Sequence, residues 1–193
     1  LDRIAAWAPR LDAVGINAYG ALPHVRTMLE ATAYRGPYLI TEWGVTGHWE
    51  AHRTSWGRPI EPASAAKAAM VRAYYRHIAD NADRCLGSYV FLWGQKQERT
   101  PTWYSMLIRG LPGTGGAPMY CPTVDAMAYN WSGDSPANPA PAVTGLRLNG
   151  LDARGDPTLS PGQMLRAEVD AAGSAAEPLT FVWEVLEEPD VLS

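Results

Sequence analysis

Gly36-Pro37-Tyr38-Leu39-Ile40-Thr41-Glu42-Trp43-Gly44 decides how the rest of the chain is read. Gly36-Pro37 marks a turn, Tyr38, Leu39 and Ile40 make a short apolar run, and an acid follows between Thr41 and Trp43. An apolar run closed off by turn residues predicts a strand buried on both faces. A carboxylate at the C-terminal end of such a strand adds little to packing. It is well placed for chemistry, because parallel sheets in barrels collect their sites at strand C-termini.

Working outward, residues 11–20 (Leu-Asp-Ala-Val-Gly-Ile-Asn-Ala-Tyr-Gly) form a second apolar run ending in polar and aromatic groups. Residues 86–95 (Leu-Gly-Ser-Tyr-Val-Phe-Leu-Trp-Gly-Gln) form a third. Helical patterns lie between them. Residues 22–34 carry Val25, Met28 and Leu29 on one face; residues 64–80 carry Ala68, Val71, Tyr74 and Ile78, with Ser64 placed to cap them. Residues 1–9 read as the end of a helix stopped by Pro9, and residues 123–131 as a last helix. Strands alternating with helices predict an α/β fold with a parallel sheet.

Residues 45–63 interrupt this pattern. They are rich in Trp, His and Gly (His48, Trp49, Trp56, Gly57) without periodicity, which suits the wall of a binding cleft. Residues 132–142 are a linker in which Pro136, Pro139 and Pro141 alternate with small residues. Beyond it, residues 143–193 alternate apolar and polar positions between Gly/Pro turns, as in Leu146-Arg147-Leu148 and Phe181-Val182-Trp183-Glu184-Val185. That predicts part of an all-β, Ig-like sandwich, with Trp183 in its core.

Eight Trp and nine Tyr against two Phe favour rings that stack on one side and hydrogen-bond on another, a set that suits sugars. A net charge of -4 supplies no basic face for nucleic acid, and no run is long enough to span a membrane. Cys85 and Cys121 allow one disulfide or two free thiols. His24, His48, His52 and His77 are scattered without a third ligand beside any pair, so neither metal nor other cofactor is expected.

Three strand ends in order, Gly15-Ile16-Asn17-Ala18-Tyr19, Leu39-Ile40-Thr41-Glu42-Trp43-Gly44 and Val90-Phe91-Leu92-Trp93, resemble strands six to eight of a retaining glycoside hydrolase. The resemblance is to the (β/α)8-barrel clan that includes families 2 and 5, and it covers residues 1–131. It implies part of a TIM barrel there, and a carbohydrate as partner. Glu42 is then the catalytic nucleophile, Tyr19 its hydrogen-bond donor, and Trp93 the floor beneath the sugar. Asn17, on the same side of its strand as Tyr19, either binds substrate or fixes the loop. Trp43 is expected as a wall of the substrate site, and Trp49, Trp56 and Gln95 as further substrate contacts.

Retaining enzymes pair the nucleophile with an acid/base roughly 5–5.5 Å away. In the clan that residue is a Glu, usually after Asn, at the end of strand four. No such motif occurs here, so the chain reads as a C-terminal part that begins after it. Glu50 and Glu98 stand in no matching motif. The reading that follows is hydrolysis of a β-linked glycan, with a transglycosylase or a non-catalytic carbohydrate-binding protein as alternatives. The resemblance also implies an extracytoplasmic location and leaves oligomeric state open.

Overall fold

The computed structural model describes residues 1–110, 116–173 and 178–187. Helix α1 (Asp2–Trp7) leads into β1 (Val14–Asn17), then α2 (Val25–Glu30), β2 (Tyr38–Trp43), α3 (Ser64–Ala79) and β3 (Cys85–Val90). Strands β1, β2 and β3 form a parallel sheet in that order. A short ladder of β4 (Leu107–Ile108) with β5 (Met119–Tyr120) follows, then α4 (Pro122–Ser132) and an antiparallel pair, β6 (Ala142–Leu148) with β7 (Ala167–Ala172).

The expected barrel is corrected by this topology. The parallel sheet is open and three-stranded, and the other four strands pair two by two in separate sheets. Closing a barrel requires every strand to have a neighbour on both sides. Among the described residues only β2 has two. The sandwich expectation is corrected as well: β6 and β7 make a single two-stranded sheet, and residues 178–187 adopt no strand. Trp183 is 54% exposed there, so it fills no core.

One face of the parallel sheet is covered by helices. Val14, Tyr38, Ile40 and Trp43 pack in a core with Leu29 near the end of α2 and Val71 and Ile78 of α3. The opposite face stays open: Gly15, Asn17, Thr41, Leu86 and Tyr89 are exposed. Gly15 is required for close packing there, since a Cβ at that position would meet Cγ2 of Thr41 at 2.8 Å.

Helix boundaries follow local chemistry. Pro122, in the first turn of α4, starts the helix without a lost hydrogen bond. Gly133 ends it in the left-handed conformation at φ 81°, which costs a glycine nothing. The cap expected of Ser64 is a correction. The N-cap is Ala63, and the Ser64 hydroxyl instead accepts a hydrogen bond from the Val143 amide at 2.8 Å, tying α3 to β6. Lys67 of α3 is buried, bonded to Glu61 and, at 2.7 Å, to the Thr102 carbonyl. Glu61 also accepts from Thr100 and Thr102, so one buried carboxylate–ammonium pair holds the loop after β3 against the start of α3. Cys85 and Cys121 are both free thiols. No helix among the described residues is long and apolar enough to cross a membrane.

Candidate active site

The site is built where β1 and β2 end together. Register between them runs Ile16 against Ile40 and then Asn17 against Glu42, so β2 carries one extra residue, Thr41. Such a bulge shifts the in–out alternation by one position. Tyr38 and Ile40 face the core, and after the slip it is Trp43 that returns to it. Glu42 is thereby turned away from the core and left half-buried. The ladder continues one residue further, with the Ala18 amide donating to the Glu42 carbonyl at 2.8 Å. This brings Tyr19 alongside.

The Tyr19 hydroxyl donates to Oε1 of Glu42 at 2.6 Å. Burial, and then the hydrogen bond and charge of Glu42, push the phenol well above its ordinary range, so it remains protonated and remains a donor. Aromatic rings enclose it: Trp49 edge-on at 5.3 Å, Tyr104 at 5.4 Å and Phe91 at 6.4 Å. Gly44 makes room for them, because a Cβ there would lie 2.8 Å from the Phe91 carbonyl oxygen and 3.3 Å from Cε1 of Tyr19. Tyr19→Phe deletes one hydrogen bond to a charged acceptor, an interaction of ~1.5–3 kcal/mol. The phenylalanine variant is expected to melt several degrees below the parent chain, roughly 2–4 °C for each kcal/mol lost, as thermal denaturation will show.

Loop 45–63 is fastened over this cluster by its own acid. Oε2 of Glu50 accepts from the Gly20 amide at 2.8 Å and from the Gly47 amide at 3.0 Å, joining the loops that follow β1 and β2. The His48 amide donates to the Tyr104 hydroxyl at 3.2 Å, and the His48 ring packs edge-on against Trp49 at 4.9 Å and Trp103 at 6.0 Å. Glu98 lies beside it, 3.9 Å from Nε2 of His48 and 2.8 Å from Nζ of Lys96.

Burial holds the His48 imidazole below its ordinary 6.5, helped by Arg99 and Arg53 and opposed by Glu98. The folded protein therefore keeps His48 neutral where the unfolded chain already binds the proton. Stability is lost as pH falls below the unfolded value toward the folded one. In urea titrations at about pH 7 and about pH 5, His48→Asn should show a smaller loss of stability across that interval than the parent chain.

The predicted residues fall into three groups. Glu42 and Tyr19 come together, while Asn17 is opposite Glu42 in register and its Oδ1 accepts from the Thr41 hydroxyl at 2.8 Å. Trp49 joins them, 52% exposed beside Tyr19. Trp43 is a correction. Its indole is 0% exposed, packed 6.2 Å from the Tyr75 ring of α3, and a fully buried ring touches no substrate.

Trp93, Trp56 and Gln95 lie outside the ring cluster. The ring past the end of β3 that meets Tyr19 is Phe91, while Trp93 stacks on Trp131 of α4. Trp56 rides the tip of a small hairpin closed by the Arg53–Pro59 bridge and tied through the Ser55 amide to Asp156 at 3.1 Å. Gln95 is exposed along a shallow groove with Leu107, Ile108 and Arg109. A concavity of about 1420 Å³ lies elsewhere again, between the start of α3 and β6, and neither Glu42 nor Tyr19 lines it.

The sequence reading assigned no role to Phe91 or to Tyr104. Phe91 and Trp93 are two apart, so alternation alone puts both on one side of a strand. The strand ends at Val90, and that end point selects Phe91. Among the described residues no group of three His, Cys, Asp or Glu could hold a metal ion. No protein family and no curated protein matches this chain.

Proposed function

We propose that this chain belongs to a glycosidase of the retaining type, acting on a β-linked glycan with Glu42 as nucleophile. The observation that carries the reading is the short Tyr19–Glu42 hydrogen bond at the mouth of the parallel sheet, with Trp49 half-exposed beside it. A nucleophilic carboxylate must be held, oriented and left open on the side from which the anomeric carbon approaches. Glu42 has one oxygen fixed by a phenol that stays protonated. Trp49 offers an apolar ring face to the sugar, and the phenol keeps its proton next to the carboxylate.

The reaction needs a proton on the leaving oxygen as well. Glu98 is engaged by Lys96, and Glu50 is spent on two backbone amides, so neither is free for that task. Substrates whose leaving group departs as a stable anion do not need that proton. The test uses them: a panel of 2,4-dinitrophenyl β-glycosides, with the anomeric configuration of the product followed by proton NMR. Release of dinitrophenolate with a β-configured first product supports the reading. No release from any member of the panel, or an α-configured first product, contradicts it.

A further inference from the structure

The contacts around Tyr19 close into a circuit that carries charge. Phe91 meets Tyr19 at 6.4 Å, and Nζ of Lys96 lies 5.6 Å from the centre of the Phe91 ring. The same Nζ is 2.8 Å from Oε2 of Glu98, whose Oε1 is 3.9 Å from Nε2 of His48. His48 packs on Trp49, and Trp49 packs on Tyr19, the residue that holds Glu42. Lys96 and Glu98 therefore belong to the rim of the Glu42 site.

Charge on that rim is not balanced. Arg99 follows Glu98 in the chain. After burial itself, it is the first of the charges that hold the His48 imidazole down, ahead of Arg53 and against Glu98. Among the described residues neither arginine has a carboxylate partner: Arg53 donates to the Gly57 carbonyl at 2.7 Å, and Nε of Arg99 is buried with no hydrogen bond. Glu98 is already shared between Lys96 and His48. Lys96, Arg99 and Arg53 thus surround one carboxylate. Arg99 is also held in place. Its φ of 63° is left-handed, which a residue with a side chain rarely adopts. Glu98 and Thr100 exchange amide–carbonyl bonds across it at 3.1 and 2.8 Å, and the Thr100 hydroxyl donates to Glu61. An unfavourable backbone and an unpaired buried donor in one residue persist where a site presents a group to a ligand.

We infer that Lys96 and Arg99 bind the anionic group of an acidic glycan, a uronosyl carboxylate or a sulfate ester, at the rim of the Glu42 site. The Lys96 ammonium keeps donors beyond the one given to Glu98, and a guanidinium fork matches either oxyanion. The inference rests on the glycosidase reading for the role of Glu42, but binding is measurable without turnover. Native affinity gels at low ionic strength test it, with Glu42→Gln protein so that nothing is cleaved. The gels contain hyaluronan for carboxylate, cellulose sulfate for sulfate, or neutral hydroxyethyl cellulose. At least one acidic polymer is expected to retard the protein more than the neutral one does, and which of the two does so identifies the anion. Adding Lys96→Gln with Arg99→Gln is expected to weaken that retardation by roughly tenfold or more. Lys96→Arg with Arg99→Lys keeps both charges and is expected to keep most of it. Arg3→Gln with Arg76→Gln removes two charges elsewhere and is expected to change little. No retardation by either acidic polymer, equal retardation by the neutral one, or no loss with the two glutamines overturns the inference. So does an equal loss with the charge-keeping pair or with the Arg3 and Arg76 pair. Retardation by an acidic polymer with no dinitrophenyl glycoside cleavage by the parent chain would remove the catalytic reading and leave the anion site standing.

Discussion

Glu42→Gln is expected to lower dinitrophenyl glycoside turnover by roughly 10⁴-fold or more, while leaving the protein folded. The substitution is close to isosteric, and the amide oxygen can still accept from the Tyr19 hydroxyl, so the ring cluster keeps its geometry. What disappears is the proposed nucleophile. An amide does not attack an anomeric carbon at a useful rate, and among the described residues the nearby acids Glu50 and Glu98 are held by backbone amides and by Lys96. Kinetics and a urea titration on the same preparation check both halves. A variant with turnover within about tenfold of the parent would mean that Glu42 is a binding residue and no more.

Trp43→Ala is expected to cost ~3–5 kcal/mol of stability, the usual range for removing a fully buried aromatic ring. Total stabilities are only about 5–15 kcal/mol, so this variant should lose a large share of its stability. Trp43→Phe should cost much less. Among the described residues the buried indole nitrogen of Trp43 has no hydrogen-bond partner, and an unpaired buried donor is itself unfavourable. Phenylalanine removes that donor and keeps most of the ring. Urea midpoints of the three proteins should order parent and Phe close together and Ala far below. The comparison separates the packing role of Trp43 from the chemistry of its neighbour Glu42.

Those two adjacent residues also show how much of the molecule was legible in the chain. The apolar runs and their turns located all three parallel strands, and amphipathic spacing located α3 and α4. Period-two alternation, however, assumes an unbroken strand. The extra residue at Thr41 breaks it, sending Glu42 outward and Trp43 inward, and a bulge is set by pairing with β1, which no local pattern records. Ser64 failed as a cap for a similar reason: its hydroxyl is claimed by Val143, 79 residues away. Barrel and sandwich were inferred from likeness at three strand ends and from alternation beyond Pro141. Neither kind of signal counts how many strands find partners. The rings that enclose Tyr19 come from three separate stretches, and only Trp49 was marked in advance as a substrate contact.

A nucleophilic Glu42 forms a covalent bond to the sugar. Incubation with a 2-deoxy-2-fluoro-β-glycosyl fluoride tests it, because fluoride leaves without needing a proton and the 2-fluoro group slows release of the intermediate. Proteolysis and tandem mass spectrometry then locate the adduct. The account predicts one fluoroglycosyl group, on the side chain of Glu42, absent in Glu42→Gln; an adduct on Glu50, Glu98 or any other residue would contradict it.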